Sequence, residues 1–232
     1  MELDKIRIGG VPAIIWGKPS DRMIIAAHGS HSSKIDDCIW ILAEEAVKKG
    51  YQVLSFDLPQ HGERVYETDF IMPDECVREL LAMYAYAKDH AQKVSLFGCS
   101  TGAYFQLLTF AEQEIDRVWF LSPVTDMLRI IHNLMAYCHV SEAELKQRVR
   151  IDNDMEPLYY PYFEYVREHP ITAWPHQTYI LRGEGDTLCE YACVKRFSER
   201  FGCELTEQKG GEHWFHTERE LDFFRRWIRD RL

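Results

Sequence analysis

The sequence predicts an α/β fold with a mostly parallel central sheet and helices on both faces. The main observation is an alternation of short apolar strands and amphipathic helices that continues from residue 23 to the end of the chain, the pattern of βαβ units. A second observation is the length of 232 residues, at which such folds commonly remain undivided. We therefore expect one α/β domain over residues 1–232.

The first elements are a hairpin followed by a strand and a helix. Apolar runs at 6–8 and 13–16 flank a Gly-Gly pair and predict an antiparallel hairpin. MIIAAH at 23–28 is a continuous apolar strand, which is typical of burial on both faces. A helix over 35–49 is predicted by apolar residues at helical spacing, namely Ile39, Leu42, Ala43 and Ala46.

Two further units follow in the middle of the chain. Strand 51–57 precedes a helix that Pro73 opens. The predicted buried face of that helix consists of Val77, Leu80, Leu81 and Tyr84. Strand 94–98 leads through a GCSTG turn into a helix that ends near residue 112, and strand 117–122 comes next.

The alternation resumes later in the chain. Strand 178–183 precedes a helix over 190–201, and strand 203–208 precedes a helix that begins at Thr217. Thr217 and Glu220 have the spacing of a capping box. In a parallel sheet the carboxyl ends of the strands lie at one edge, and active sites form there.

Residues 124–172 interrupt the alternation and are predicted to form a cap over that edge. Long insertions between core strands are typically functional, although a helical decoration with its own small core is the alternative. SEAELKQRV predicts a helix, with capping-box spacing between Ser141 and Glu144. The tyrosines of the next stretch either line an acyl pocket or hold the cap together; they are Tyr159, Tyr160, Tyr162 and Tyr165.

The composition argues against several classes of partner. A net charge of −10 would be repelled by nucleic acid and by an anionic membrane. No stretch approaches the roughly 20 apolar residues of a membrane-spanning helix. The seven cysteines lack CxxC spacing and the first residues lack the apolar core of a secretory signal, so we expect reduced thiols and a cytoplasmic location.

The GCSTG turn at 98–102 has two explanations. Small residues let a helix lie close to a sheet, and Gly-x-Ser-x-Gly at a strand-to-helix turn also presents a serine as a nucleophile. A serine hydroxyl is a weak nucleophile that needs a base, and the base needs an orienting acid. The rest of the chain therefore decides between the two explanations.

Both partners follow Ser100 in the expected order, each in the turn after a later strand. Asp186 lies in the GEGDT turn, and His213 lies in the GGEHW turn. The coincidence of three such turns favours chemistry over packing as the explanation of the serine. The rival candidates are the nearest other carboxylates and imidazole, namely Glu184, Glu190 and His216.

Two backbone amides are predicted to form an oxyanion hole, because the charge that develops on an attacked carbonyl needs donors. One is the N–H of Thr101, which follows the nucleophile. The other is the N–H of Ser30, in the loop after strand 23–28. In the same loop His28 is expected to order the backbone, and His31 is a candidate for binding substrate.

These motifs together resemble the α/β-hydrolase superfamily over nearly the whole chain. The segments that carry the resemblance are AAHGS, Asp57…His61-Gly62, FGCSTGA, LRGEGDTL and GGEHWF. Within the superfamily the chain looks like the small capped serine hydrolases, which include carboxylesterases, monoglyceride lipases and serine-aminopeptidase-like enzymes. The resemblance implies a catalytic triad of Ser100, Asp186 and His213 and the two oxyanion amides named above.

The chain departs from that resemblance in two places. It has Asp57-Leu58-Pro59-Gln60-His61-Gly62 where such proteins often have Asp-x-x-Gly-His-Gly. The cap sequence also matches no subfamily, so a substrate does not carry over with the fold and the triad.

The sequence therefore predicts hydrolysis of a small carboxylic ester through an acyl-enzyme, with no metal or cofactor. The same triad could cleave an amide, a thioester or a peptide with a free amino terminus, could transfer the acyl group to another acceptor, or could persist in a binding module. An aminopeptidase would need an acidic pocket, for which the candidates are Glu142, Glu144, Glu156 and Glu164, although solvated helix faces explain them equally well.

Cys189 and Cys193 have metal-compatible spacing without an evident third ligand, so we expect core packing for them and for Cys99.

Overall fold

The computed structural model describes residues 1–67 and 70–232 of the chain. Its strands are β1 (Leu3–Ile8), β2 (Val11–Trp16), β3 (Arg22–Ala27), β4 (Gln52–Phe56), β5 (Lys93–Cys99), β6 (Val118–Leu121), β7 (Arg150–Ile151), β8 (Leu158–Tyr159), β9 (Thr178–Gly183) and β10 (Glu204–Gln208). Its α-helices are α1 (Asp37–Lys48), α2 (Pro73–His90), α3 (Thr101–Phe110), α4 (Met127–Tyr137), α5 (Glu142–Arg148), α6 (Tyr160–Glu168), α7 (Tyr191–Phe201) and α8 (Glu218–Arg229). A short 3-10 turn covers Gly62–Arg64.

Eight strands of the described chain form one sheet, and the predicted fold class is confirmed. The strand order is β1-β2-β4-β3-β5-β6-β9-β10. The β1–β2 and β2–β4 pairs are antiparallel and the other pairs are parallel. The order reverses between β3 and β5, and a crevice outside the carboxyl ends of the strands is expected at such a point.

The β3 strand shows why its sequence is apolar without alternation. Successive side chains of a strand point to opposite faces of the sheet. Ile24 and Ala26 lie in the cluster beneath α1 and α8, whereas Met23, Ile25 and Ala27 lie in the cluster beneath α2 and α3. All five side chains are completely buried. The helices on both faces therefore account for the continuous apolar run.

The buried face of α2 agrees with the prediction fully only at Leu80, since Val77 and Tyr84 are half-buried. Leu81 is 39% exposed, whereas Met83 is fully buried. The buried stripe follows Cys76, Leu80, Met83 and Ala87, which recur at intervals of three or four residues and point at the sheet. The prediction for Leu81 was wrong because Leu80 and Leu81 are both apolar and only packing distinguishes the two faces.

The segment between β6 and β9 contains more regular structure than the sequence indicated. The helix predicted from SEAELKQRV is α5, and the hydroxyl of Ser141 accepts a hydrogen bond from the N–H of Glu144 at 3.2 Å. The helices α4 and α6 and the antiparallel β7–β8 hairpin were not predicted. Phe163 and Val166 of α6 are buried in the main apolar cluster. This segment therefore packs onto the domain core.

Within the described ranges, none of the helices combines the length and the apolar character needed to cross a bilayer.

Candidate active site

Ser100 lies at the sharp turn between β5 and α3. Its backbone has φ 49° and ψ −118°, a conformation that side-chain-bearing residues seldom adopt and that costs about 1–3 kcal/mol. The Ser100 N–H donates to the Leu121 carbonyl at 3.0 Å, and the Ser100 carbonyl accepts from the Val124 N–H at 3.2 Å. These two bonds hold the strained turn at the carboxyl edge of the sheet.

The glycines on either side of Ser100 are needed for close packing. A Cβ on Gly98 would fall 2.6 Å from the Cα of Ala103. A Cβ on Gly102 would fall 2.6 Å from the Ala27 carbonyl oxygen and would also collide with that of His28. The packing explanation of the GCSTG turn therefore holds, since the small residues let α3 lie close to the end of β3, and the nucleophile explanation stays a prediction.

The structure brings together Ser100, His213 and Asp186. The Oγ of Ser100 lies 3.0 Å from Nε2 of His213, and Nδ1 of His213 lies 2.8 Å from Oδ2 of Asp186. The Asp186 carboxylate is fully buried. A carboxylate oxygen accepts hydrogen bonds, so Nδ1–H of His213 donates to Asp186 and Nε2 presents a lone pair to the Ser100 hydroxyl.

The other oxygen of Asp186 is held by its own loop. Oδ1 accepts the N–H of Leu188 at 3.0 Å and the N–H of Cys189 at 2.8 Å. The guanidinium of Arg182 donates to the Asp186 carbonyl at 2.7 Å. The carboxylate is thus fixed in the orientation in which Oδ2 meets His213.

The rival residues make other contacts. The carboxylate of Glu184 accepts the N–H of Gly210 at 3.0 Å. That of Glu190 is bound by Arg129 and Asn133 of α4. His216 directs Nδ1 to the Trp214 carbonyl at 2.7 Å. The imidazole that contacts Ser100 is therefore that of His213, and the carboxylate that contacts His213 is that of Asp186.

Glu220 supports the loop that carries His213, and sequence reasoning missed this role. Its Oε1 accepts the N–H of Glu212 at 2.8 Å, and its Oε2 accepts the N–H of Thr217 at 3.0 Å and the Thr217 hydroxyl at 2.6 Å. Burial would raise the pKa of Glu220, but these hydrogen bonds outweigh it and lower that pKa to about 2. The predicted capping box is present, and the additional bond to Glu212 had no sequence signal.

Ser30 and Thr101 lie side by side next to Ser100. Their hydroxyl oxygens are 3.3 Å apart. Among residues 1–67 and 70–232, neither the Ser30 amide nor the Thr101 amide donates a hydrogen bond to another protein group. Both amides are therefore available to an external acceptor, and their role as an oxyanion hole stays a prediction.

Two histidines connect the loop after β3 to the loop after β4, in opposite directions. Nε2 of His28 accepts the N–H of Leu58 at 3.0 Å, and Nε2 of His61 accepts the N–H of His31 at 3.0 Å. Each ring directs Nδ1 to a carbonyl of its own loop, His28 to Gly29 at 2.7 Å and His61 to Pro59 at 2.8 Å. Burial lowers the pKa of His28 to about 4 and also lowers that of His61.

Asp57 joins the same two loops with its carboxylate. It accepts the N–H of Lys34 at 3.0 Å, the Lys34 ammonium, and the N–H of Glu63 at 3.0 Å. The Asp57 carboxylate has no exposed surface. These bonds satisfy a buried carboxylate and link it to both loops, so the Asp57…His61-Gly62 motif serves to brace the loop that carries Ser30.

His31 and the tyrosines of the inserted segment contact other residues of that segment, the loop after β4 and the apolar core. Nε2 of His31 lies 2.5 Å from a carboxylate oxygen of Glu156, between β7 and β8. The ring of Tyr159 stacks on Phe70 at 4.0 Å, and the Tyr160 hydroxyl donates to Glu164 at 3.1 Å. Tyr162 packs against the main apolar cluster, and Tyr165 stacks on His169 at 3.9 Å. Substrate binding by His31, Tyr159, Tyr160 and Tyr162 stays a prediction.

The cysteines near the site are part of the packing. Cys189 and Cys193 are buried, and Cys99 is half-buried. The ligand atoms of Cys189, Asp186 and His213 lie within 4.8 Å of one another. However, Asp186 and His213 bond each other, and burial raises the pKa of the Cys189 thiol. This donor set fits a hydrogen-bonded acid–base pair better than a metal centre, which would need a thiolate.

Comparisons with known proteins define the fold. No family model matches the sequence, and none of the curated proteins matches it either. Among solved structures, Est1E from Butyrivibrio proteoclasticus with bound ferulic acid has a TM-score of 0.80 and 18% identity, over 98% of this chain and 96% of that one.

Two other solved structures agree over most of the chain. The α/β hydrolase domain-containing protein 10 from mouse has a TM-score of 0.78 and 14% identity, over 99% of this chain and 98% of that one. An esterase from Pyrococcus furiosus has a TM-score of 0.72 and 22% identity, over 99% and 88%. The chain therefore has the α/β-hydrolase fold, as the motifs predicted.

Proposed function

We propose that this protein is a serine hydrolase that cleaves a small carboxylic ester through an acyl-enzyme. The observation that carries the proposal is the continuous hydrogen-bonded series from Ser100 Oγ to His213 Nε2 at 3.0 Å and from His213 Nδ1 to Asp186 Oδ2 at 2.8 Å. The series begins at a serine held in a strained strand-to-helix turn. That combination matches the requirements of an activated nucleophile.

The acylation step follows from these contacts. The Oγ of Ser100 attacks the ester carbonyl carbon while its proton passes to Nε2 of His213. Asp186 keeps the imidazole in the required tautomer and stabilises the imidazolium that forms. The carbonyl oxygen becomes an oxyanion, which the Ser30 and Thr101 amides bind. The bond to the alkoxy oxygen then breaks, and the departing alcohol takes the proton from Nε2.

Deacylation repeats these steps with water. His213 takes a proton from the water as the water oxygen attacks the acyl carbon, and the same amides bind the second oxyanion. The bond to Ser100 Oγ breaks, Oγ recovers its proton from His213, and the carboxylic acid leaves. All proton transfers are carried by His213, so the proposed reaction uses side chains of this protein and water.

The charges of the inserted segment favour a neutral ester over a peptide with a free amino terminus. Three of the four candidate carboxylates already pair with cations of their own segment: Glu142 with Arg167, Glu144 with Arg148 and Glu164 with Arg167. Glu156 is paired with His31. A substrate ammonium would have to displace one of these partners.

We also propose that residues 124–172 act as a cap that selects the substrate. The β7–β8 hairpin touches the loops after β3 and β4 through Glu156 on His31 and Tyr159 on Phe70. These contacts lie beside the loop that contains Ser30. Such a position is where a substrate-selecting cap is expected.

The decisive experiment compares the wild type with Ser100→Ala on p-nitrophenyl esters of graded chain length. We expect turnover in the wild type and a loss of at least about 10³-fold in Ser100→Ala, with unchanged thermal unfolding. Ser95→Ala is the matched control, because Ser95 is a buried serine of β5 with no hydrogen-bond partner for its hydroxyl among the described residues. Equal turnover in Ser100→Ala and the wild type would contradict the proposal.

A second readout separates the remaining alternatives. A fluorophosphonate should label the wild type at Ser100, as found by mass spectrometry, and should leave Ser100→Ala unlabelled. Labelling without ester turnover would direct attention to amide, thioester or peptide substrates. A product that appears only with an added alcohol or amine would indicate acyl transfer. Absence of labelling would favour a binding module.

A further inference from the structure

His61 is a half-buried imidazole that the proposed mechanism does not use. It follows β4, whereas Ser100, Asp186 and His213 follow β5, β9 and β10. Its Nε2 accepts the N–H of His31 at 3.0 Å. His31 is the residue directly after Ser30, whose amide is one of the two proposed oxyanion donors.

We propose that His61 is a positioning residue whose Nε2 holds the Ser30–His31 peptide group and thereby sets the direction of the Ser30 amide. This inference rests on the proposed function, since it concerns the oxyanion hole of the same reaction. It goes beyond that function because it assigns the support of the hole to a side chain from a different loop.

Backbone geometry explains why one hydrogen bond has this effect. A peptide group is planar, so fixing the N–H of His31 also fixes the Ser30 carbonyl. The amide of Ser30 is then separated from a fixed group by the two rotatable bonds of a single residue. His31 itself has φ 56°, a left-handed conformation that is unfavourable for a residue with a side chain and needs a compensating contact.

The orientation of the His61 ring makes Nε2 an acceptor. Its Nδ1 lies 2.8 Å from the Pro59 carbonyl, which can only accept, so the ring proton is on Nδ1. The ring also packs against His28 with the centroids 5.1 Å apart. Nε2 is therefore unprotonated, and it is held at the distance at which it accepts the His31 N–H.

The reciprocal bond of His28 makes the arrangement rigid. His28 comes from the loop that contains Ser30 and accepts the N–H of Leu58, and His61 comes from the loop after Leu58 and accepts the N–H of His31. The two loops are thus joined on both sides of Ser30. Loss of the His61 bond frees the backbone on the His31 side of Ser30, while the His28 bond still holds the other side.

Three substitutions of His61 separate positioning from packing. His61→Phe keeps the ring volume and removes both nitrogens. His61→Asn can still donate to Pro59 but is too short to reach His31. His61→Gln reaches the position of Nε2 with an oxygen that accepts. His90→Phe is the control, because His90 is an exposed histidine of α2 whose Nδ1 contacts its own helix.

We expect kcat for a p-nitrophenyl ester to fall about 10- to 100-fold in His61→Phe and His61→Asn, since displaced oxyanion donors cost up to about 10³-fold. KM should stay within about threefold, because the oxyanion forms only in the transition state. His61→Gln should recover kcat to within about fivefold of the wild type, and the rate of Ser100 phosphonylation should follow the same order. His90→Phe should match the wild type.

The outcomes are distinguishable. If Ser100→Ala is inactive and the wild type active, but His61→Asn and His61→Gln have equal kcat, the positioning role is wrong and the proposed function stands. A loss that appears in KM alone would also contradict the role. If His61→Phe fails to fold, the Asn and Gln variants still decide, because they are polar and similar in size. If the wild type is neither active nor phosphonylated at Ser100, the proposed function and this inference both fail.

Discussion

The carboxylate of Glu220 accepts the backbone N–H of Glu212 at 2.8 Å, one residue before His213. The same carboxylate caps the amino terminus of α8 through Thr217. A single buried side chain therefore connects the last helix to the loop that carries the proposed general base. This connection has consequences for both activity and stability.

Glu220→Gln is expected to lower kcat for an ester about tenfold while the protein remains folded, because a loop misplacement of a fraction of an ångström is sufficient. The amide can accept with only one oxygen, so one of the Glu212 and Thr217 bonds is lost. Steady-state kinetics with Glu218→Gln as the control tests this, since Glu218 is an exposed carboxylate in the first turn of the same helix. Equal kcat in the two variants would contradict the prediction.

Glu220 should also make stability depend on pH. Its pKa is lowered from 4.5 to about 2, so its contribution is fully present above about pH 4.5 and is lost as the pH falls through about 2. A shift of this size corresponds to about 3 kcal/mol in the free energy of unfolding. Urea unfolding of the wild type and Glu220→Gln should give midpoints that converge between about pH 5 and pH 2. Parallel midpoints over that range would contradict the assignment.

Asp186→Asn is expected to reduce kcat about 10⁴-fold, with KM within about threefold. The Asn oxygen can still accept from the Leu188 and Cys189 amides, but its NH₂ group faces Nδ1–H of His213 and disfavours the productive tautomer. Glu184→Gln is the control, because Glu184 contacts Gly210 rather than His213. A loss below about tenfold in Asp186→Asn would show that another group orients the base.

Gly102→Ala is expected to destabilise the fold by at least about 1–3 kcal/mol and to abolish ester turnover. The added Cβ would collide with the Ala27 and His28 carbonyls, pushing α3 away from β3. Gly202→Ala is the comparison, since Gly202 has φ +68° and no atom near a built Cβ, so only about 1 kcal/mol of backbone strain is expected there. Urea denaturation measures both. A smaller loss for Gly102→Ala than for Gly202→Ala would contradict this packing argument.

Trp214→Ala is expected to weaken binding of long-chain esters. Trp214 follows His213 and is 69% exposed, so its removal should change stability by less than about 0.5 kcal/mol. We expect KM to rise about 3- to 10-fold for an octanoate ester and less than about twofold for an acetate, because an exposed indole beside His213 would bury part of a long acyl chain but little of an acetyl group. Tyr66→Ala, which removes an exposed aromatic ring outside the inserted segment, should leave both values unchanged. Equal changes for the two chain lengths would count against a contact with the acyl chain.

The fold was predictable because its signals are periodic. The continuous apolar run of β3 requires helices on both faces, and the alternation of strands and helices requires a parallel sheet. Two helices of the inserted segment, α4 and α6, were missed. Their apolar residues pack on the domain core rather than in a separate unit, so local pattern did not reveal what they bury.

The meeting of Ser100, Asp186 and His213 could also be anticipated from the sequence. Each residue occupies the turn after a parallel strand, and parallel strands end at one edge. Their hydrogen-bond distances could not be anticipated, because they depend on side chains that hold the loops. Glu220 on Glu212 and His61 on His31 are bonds from a side chain to the backbone of another segment.

The sequence by itself determined the strand and helix alternation, the turn that strains Ser100 and the order of the three side chains, because apolar periodicity and turn chemistry are local. Only the tertiary structure decided the distances between those side chains, which contacts brace the loop that carries Ser30 and how the inserted segment meets that loop. Those features depend on distances between segments far apart in the chain, and the packing of α-helices on both faces of the sheet sets these distances.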